Sequence, residues 1–226
     1  MKTVAKVSGI AYVLIFLTGF YANFAILSNL VEIDNPSKTL SNISNSLNSF
    51  RNGLLSFLLM FVFDIVLIVT LFKLTKEVNR KLSFLASGFR MLHAIFFSIA
   101  LLKLYDVFTI TNGTNLSVKQ PNIVLDLLSS FDKFWTIGLL FFGVHLLILG
   151  YLATKAHYIP RYIGFLLIQA ALGYFIDGFA KLSYDGYYDY QPYFEAGVIL
   201  TGVIGELSFT IWLLVTGFFR TKLKLE

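Results

Sequence analysis

The chain has 226 residues, 57% of them hydrophobic and only 14% charged, where a soluble domain carries about a quarter. Its formal net charge is +5, but the basic residues are scattered over the ends of apolar segments and make no nucleic-acid face. There is no cysteine, which excludes disulfides, thiolate metal sites and cysteine nucleophiles.

Six apolar segments follow one another, at 7–29, 53–75, 82–105, 134–155, 160–182 and 195–219. Each is long enough to cross a hydrocarbon core about 30 Å thick as a helix. The expectation is an all-α polytopic membrane protein, a single six-helix transmembrane domain over 1–226. The first segment, preceded by Lys2 and Lys6, is too long for a signal-peptide core and has no clean A-x-A site, so it reads as a span. It carries an uncharged polar stripe, Ser8, Tyr12, Gly19 and Asn23.

Between spans one and two, Leu40, Ile43, Leu47 and Phe50 fall near one helical face of 37–51. Ile123, Val124, Leu127, Leu128 and Phe131 make a similar stripe in 119–133. Both predict short helices, either lying on the membrane surface or plugging the bundle. Span two holds Asp64. Span three holds Arg90 and His93, three apart and so on one face, with Ser87 one turn further in. Span four holds His145. On span five, Gln169, Gly173 and Asp177 stack at four-residue spacing, with Lys181 one turn beyond. The loop 184–193 is rich in tyrosine, the residue of membrane interfaces. Span six has a small-residue ridge, Gly197, Thr201 and Gly205, with Glu206 beside it. His157 reads as a surface histidine, and the Asn42, Asn112 and Asn115 glycosylation patterns are chance matches in Asn-rich loops.

Of eighteen Lys and Arg, eleven fall on the side of the N-terminus, six on the other, and Arg90 lies inside a span. The positive-inside rule then predicts both termini in the cytoplasm and an inner-membrane location. A shift of 81 residues lays Asp64 on His145 and Arg80 on Arg161, and spans two, four and six each carry one mid-span ionisable residue. That pattern predicts three helical hairpins around a shared polar centre.

Charged groups at such depth cost about 2.5–3.5 kcal/mol each and persist when they face one another or a wet cavity. Asp64, Arg90, His93, His145, Asp177 and Glu206 are therefore the expected ligand-binding or proton-handling residues. With neutral histidines, Asp64 and Glu206 outweigh Arg90 by one negative charge, so a proton or a cation must make up the difference. Three readings follow. The preferred one is binding, or proton-coupled transport, of a small molecule or ion at this midplane site. The second is a metal-dependent intramembrane hydrolase, with Asp64, His93, His145 and Glu206 as ligands of a zinc ion. The third is a non-catalytic packing or regulatory subunit, whose charge network only fixes helix positions. No Gly-rich phosphate loop, nucleophile elbow or His-Glu zinc motif is present.

The stretches Phe61-Val-Phe-Asp64, Ala86-Ser-Gly-Phe-Arg90, Gly138 to Tyr151, Tyr158 to Gly164, Gly173 to Asp177, Gly205-Glu-Leu207 and Trp212 to Val215 together form a pattern. In them the chain resembles a prokaryotic membrane family described as domain of unknown function 4386. The resemblance implies a polytopic architecture and carries over Asp64, Arg90, His145, Asp177 and Glu206 as motif positions. It implies a variable residue at the position of His93, and it implies no activity.

Overall fold

A computed structural model describes residues 1–113 and 120–219. Lys119, the pattern residues Thr114, Asn115 and Ser117, and the basic residues Arg220, Lys222 and Lys224 lie outside the described residues. The described residues form helices and no strand. They are α1 (Lys2–Leu30), α2 (Pro36–Asn45), α3 (Leu47–Thr75), α4 (Arg80–Asn112), α5 (Pro121–Lys155), α6 (Arg161–Ser183) and α7 (Tyr187–Phe218). All but α2 are long and apolar enough to cross a bilayer. This is the architecture of a multi-pass membrane protein, because helices satisfy every backbone group within the segment itself.

Two expectations about segment ends are corrected. The stripe in 119–133 is no separate helix: α5 runs unbroken from Pro121 to Lys155. No Gly or Pro interrupts 122–137, and Asp132 and Lys133 change polarity without ending a helix. Of the tyrosine-rich stretch 184–193 only residues 184–186 form a loop, since α7 begins at Tyr187. Pro192 lies inside this helix, at its sixth residue, and removes one backbone hydrogen bond to the preceding turn without ending it. Two of the long helices contain a π-helical turn, Tyr21–Leu27 in α1 and Ile199–Val203 in α7.

By contact the chain divides into two compact units. One comprises Leu14–Phe63 and Phe96–Trp135. Its core is aromatic: the Phe57 ring lies 6.1 Å from Phe97, 5.7 Å from Phe131 and 5.7 Å from Trp135. Here α2 is built to pack rather than to float. Asn35 Oδ1 accepts from the Lys38 N–H at 3.0 Å, Pro36 starts the helix, and Thr39 exchanges two 2.8 Å hydrogen bonds with Glu32. Ile43 is buried in the core of this unit, so the apolar stripe of α2 packs on protein. Among the described residues, its only buried polar side chains are Thr39 and Thr111.

The other unit comprises Met1–Val13, Asp64–Ile95 and the described residues from Thr136 onward. It holds every buried ionisable side chain among the described residues. Its helices touch backbone to backbone where they carry glycine. A Cβ on Gly164 would lie 2.6 Å from the Gly150 carbonyl oxygen, and one on Gly205 2.6 Å from that of Leu166. These contacts draw α6 tightly against α5 and α7. In the turn before α6, the buried Tyr158 hydroxyl donates to the Leu74 carbonyl at 2.6 Å and closes the end of α3. Burial, with the Glu77 charge adding to it, pushes the Tyr158 hydroxyl up to about 12.

Candidate functional site

The guanidinium of Arg90 is the hub of the polar unit, and its residue is 1% exposed. Nη2 lies 2.6 Å from Asp64 Oδ1. Nη1 donates to Tyr12 Oη at 3.3 Å and to His145 Nε2 at 3.1 Å. The Tyr12 and Phe142 rings lie 5.4 and 5.2 Å from the guanidinium carbon. Four helices thus meet at one cation: α1 through Tyr12, α3 through Asp64, α4 through Arg90 itself and α5 through His145.

Hydrogen-bond logic settles the state of His145. Its Nδ1 is 2.9 Å from the Ala86 carbonyl oxygen, which only accepts, so Nδ1 carries the hydrogen. Arg90 only donates, so Nε2 is the bare acceptor. His145 is therefore a neutral imidazole with both nitrogens engaged. Asp64 and His145, which the 81-residue shift superimposes, meet at the same guanidinium.

His93 is brought to the same centre. Its Nε2 lies 3.9 Å from Asp64 Oδ2, and its ring is 5.1 Å from that of Phe142. Two buried atoms of the ion pair itself, Asp64 Oδ2 and Arg90 Nε, have no hydrogen-bond partner. The hub therefore has spare polar capacity facing a protein interior.

Glu206 takes a different partner. Its Oε1 accepts from the Tyr174 hydroxyl at 2.8 Å, while its backbone carbonyl accepts from Thr210 at 2.7 Å. The Tyr174 ring packs edge-on against Phe142 at 5.4 Å, so two aromatic rings in contact link the arginine hub to the acid. Tyr174 was not singled out by the sequence, because a tyrosine in an apolar helix is unremarkable until its hydroxyl is seen to meet a buried carboxyl. The Ala86 carbonyl and the Phe142 ring leave no polar signal in sequence at all.

Asp177 stands apart from these contacts. Its Oδ1 accepts from the Tyr187 hydroxyl at 2.7 Å. With Gln169 and Gly173 it lines a groove of about 270 Å³ between α6 and α7, so the stack read from four-residue spacing is present. Of the ridge on α7, Gly205 makes the expected close approach and Thr201 meets Gly173, whereas Gly197 faces open space and lines the groove.

The four side chains considered as zinc ligands do not form a ligand set, although three of them gather around Arg90. Among the described residues, no three His, Asp or Glu side chains are placed to share a metal ion. The physical reason is visible at His145, whose two nitrogens are already bonded to Ala86 and Arg90.

No solved structure matches the chain. A protein of Archaeoglobus fulgidus, described only as an uncharacterized protein, is 30% identical over 159 residues, which is 70% of this chain and 80% of that relative. The family model described as Domain of unknown function (DUF4386) matches residues 7–217, a range that holds the arginine hub, Glu206 and the groove. By that match, the chain belongs to the DUF4386 family.

Proposed function

We propose that this protein binds a small molecule or an ion within the membrane and couples that binding to a proton held at Glu206, as a proton-coupled transporter would. The observation that supports the reading is an imbalance of charge. Arg90 and Asp64 cancel, and His145 is neutral. Glu206 is left with a tyrosine hydroxyl and, among the described residues, no ion pair. An uncompensated carboxylate is costly in so dry a place, so Glu206 holds a proton or shares the site with a cation. Exchange of one for the other is the elementary step of the function. The Tyr174 hydroxyl suits both states, because it donates to the carboxylate and can accept from the carboxylic acid. In this reading the arginine hub is the fixed frame and Glu206 the working group. The membrane is the cytoplasmic membrane, with both termini inside, as the basic loops favour.

Infrared difference spectroscopy on the purified protein tests the proposal. A carboxylic-acid band that comes and goes with pH, shifts in deuterated water and is lost in Glu206→Gln is the expected result. A Glu206→Gln protein that keeps the fold and titrates like the wild type would sink the reading.

A further inference from the structure

We infer that this protein pairs with a second copy of itself along α6, and that the Gln169 amide, meeting its counterpart across a two-fold axis, sets the register of the pair. The reason is an exposed polar group in the wrong solvent. Counting five or more residues in from the ends of the six apolar segments, Gln169 is the only exposed Asn, Gln, Ser, Thr or charged side chain among the described residues. It lies eight residues beyond Arg161, the start of α6, which is about 12 Å along the helix axis. Its amide makes no hydrogen bond among the described residues. Hydrocarbon offers an amide nothing to bond, so Gln169 needs a partner from outside the chain.

The residue sits in a narrow strip that runs the length of α6. From position 162 to 179 the exposed residues are Tyr162, Phe165, Gln169, Leu172, Ile176 and Phe179, and no other. They stand alternately three and four apart, so the strip repeats every seven residues. It extends about 26 Å, close to the thickness of the hydrocarbon core. A seven-residue repeat is the seam of two paired helices, with 162, 169 and 176 in one core position and 165, 172 and 179 in the other. Lipid tails satisfy an apolar strip, but they leave the one amide within it unsatisfied. A lone polar residue at a core position of such a seam holds helices together and fixes their register.

A second copy is the partner that this chemistry fits. Copies inserted in the same orientation are related by a two-fold axis along the membrane normal, which lays two α6 helices side by side, parallel and in register. Gln169 then faces its counterpart. A primary amide is self-complementary: its NH2 donates and its carbonyl oxygen accepts, so two of them close a reciprocal pair of hydrogen bonds. The six residues of the strip carry no charge that would oppose the approach. Beside them, the groove between α6 and α7 has no Cβ at Gly173 or Gly197, which leaves a recess for side chains of the second copy. The pairing rests on the surface of α6 and stands whether or not Glu206 handles a proton.

Cysteine cross-linking of the full chain in native membranes tests the inference. The chain has no cysteine, so a single introduced thiol reports its own contacts. Leu172→Cys lies in the strip, and Ile211→Cys is the control on α7, at a position as exposed as Leu172. Oxidation with copper phenanthroline should join Leu172→Cys into a covalent dimer on a non-reducing gel, with at least tenfold less from Ile211→Cys. Adding Gln169→Leu to Leu172→Cys should cut the dimer at least fivefold, whereas adding Gln169→Asn should retain most of it. Both variants should keep the helical circular dichroism of the parent, because the amide bonds to nothing within its own chain. No dimer from Leu172→Cys, or an equal yield from Ile211→Cys, would overturn the inference. A yield unaltered by Gln169→Leu would overturn it too. So would a lipid found at one per chain by mass spectrometry and lost in Gln169→Leu, since the partner of the amide would then be a lipid.

Discussion

Arg90→Leu is the perturbation that separates a framework from an ornament. It removes the partner of Asp64, a residue 3% exposed, across a 2.6 Å contact. Breaking a buried pair from one side costs about 3–5 kcal/mol, most of it the stranded charge. Tyr12 and His145 Nε2 each lose a donor, at about 1 kcal/mol apiece. The single variant should therefore lose roughly 5–7 kcal/mol. In Arg90→Leu with Asp64→Leu the stranded charge is gone and an apolar side chain takes its place. Only the two orphaned acceptors remain, so the loss should fall to about 2 kcal/mol. Thermal unfolding followed by circular dichroism in dodecyl maltoside gives the order directly: wild type highest, the double variant next, the single variant lowest. Single and double variants that melt together would refute the claim that this pair carries buried charge.

Tyr158→Phe should cost about 1 kcal/mol by freeing the Leu74 carbonyl. The Tyr158 hydroxyl is held up to about 12 in the folded chain, above the ordinary tyrosine value. Its contribution is therefore complete below about pH 10 and is lost as pH rises towards 12. Wild type and Tyr158→Phe should thus differ in the slope of stability over that window, and parallel slopes would count against it. Gly205→Val would drive side-chain carbons into the Leu166 carbonyl, which a Cβ would already approach to 2.6 Å. Such overpacking should destabilise by about 1–3 kcal/mol, and an unchanged melting midpoint would show that α6 and α7 are not so close. Reporter fusions after residues 79 and 158 should signal cytoplasm and one after 185 the outside. An outside signal at 158 would reverse the proposed orientation.

Much of the centre was legible because it breaks a rule. Asp64, Arg90, His145 and Glu206 stand in apolar stretches where their cost demands a partner, and three of the four share a guanidinium. Tyr12 was visible as part of a stripe, without any sign of what it would touch. The pairing of Glu206 was not legible, because its partner is one of twelve tyrosines and nothing local marks Tyr174 out. Helix ends at 119–133 and 184–193 are not legible for a related reason. Polarity marks where a helix leaves hydrocarbon, whereas hydrogen bonding decides where it stops. Some family motifs gain a mechanical meaning: Ala86 supplies the carbonyl that orients His145, and Gly150 and Gly164 let two backbones touch.

The widened turn in α7 has a consequence for angular phase. Gly197, Thr201, Gly205, Phe209 and Leu213 recur every four residues along this helix. An α-helix advances about 100° per residue, so each four-residue step overshoots a full circle by about 40°. Over four steps such a row would wander about 160° around the cylinder, almost to the opposite side. The turn at Ile199–Val203 absorbs about one extra residue and sets the later positions back by about 100°. Gly197 at the groove, Gly205 against α6 and the buried Phe209 and Leu213 then keep to one narrow strip. The irregular turn is in this sense a phase correction: it lets a four-residue rhythm, which suits close helix approach, run the length of a helix whose natural repeat is shorter.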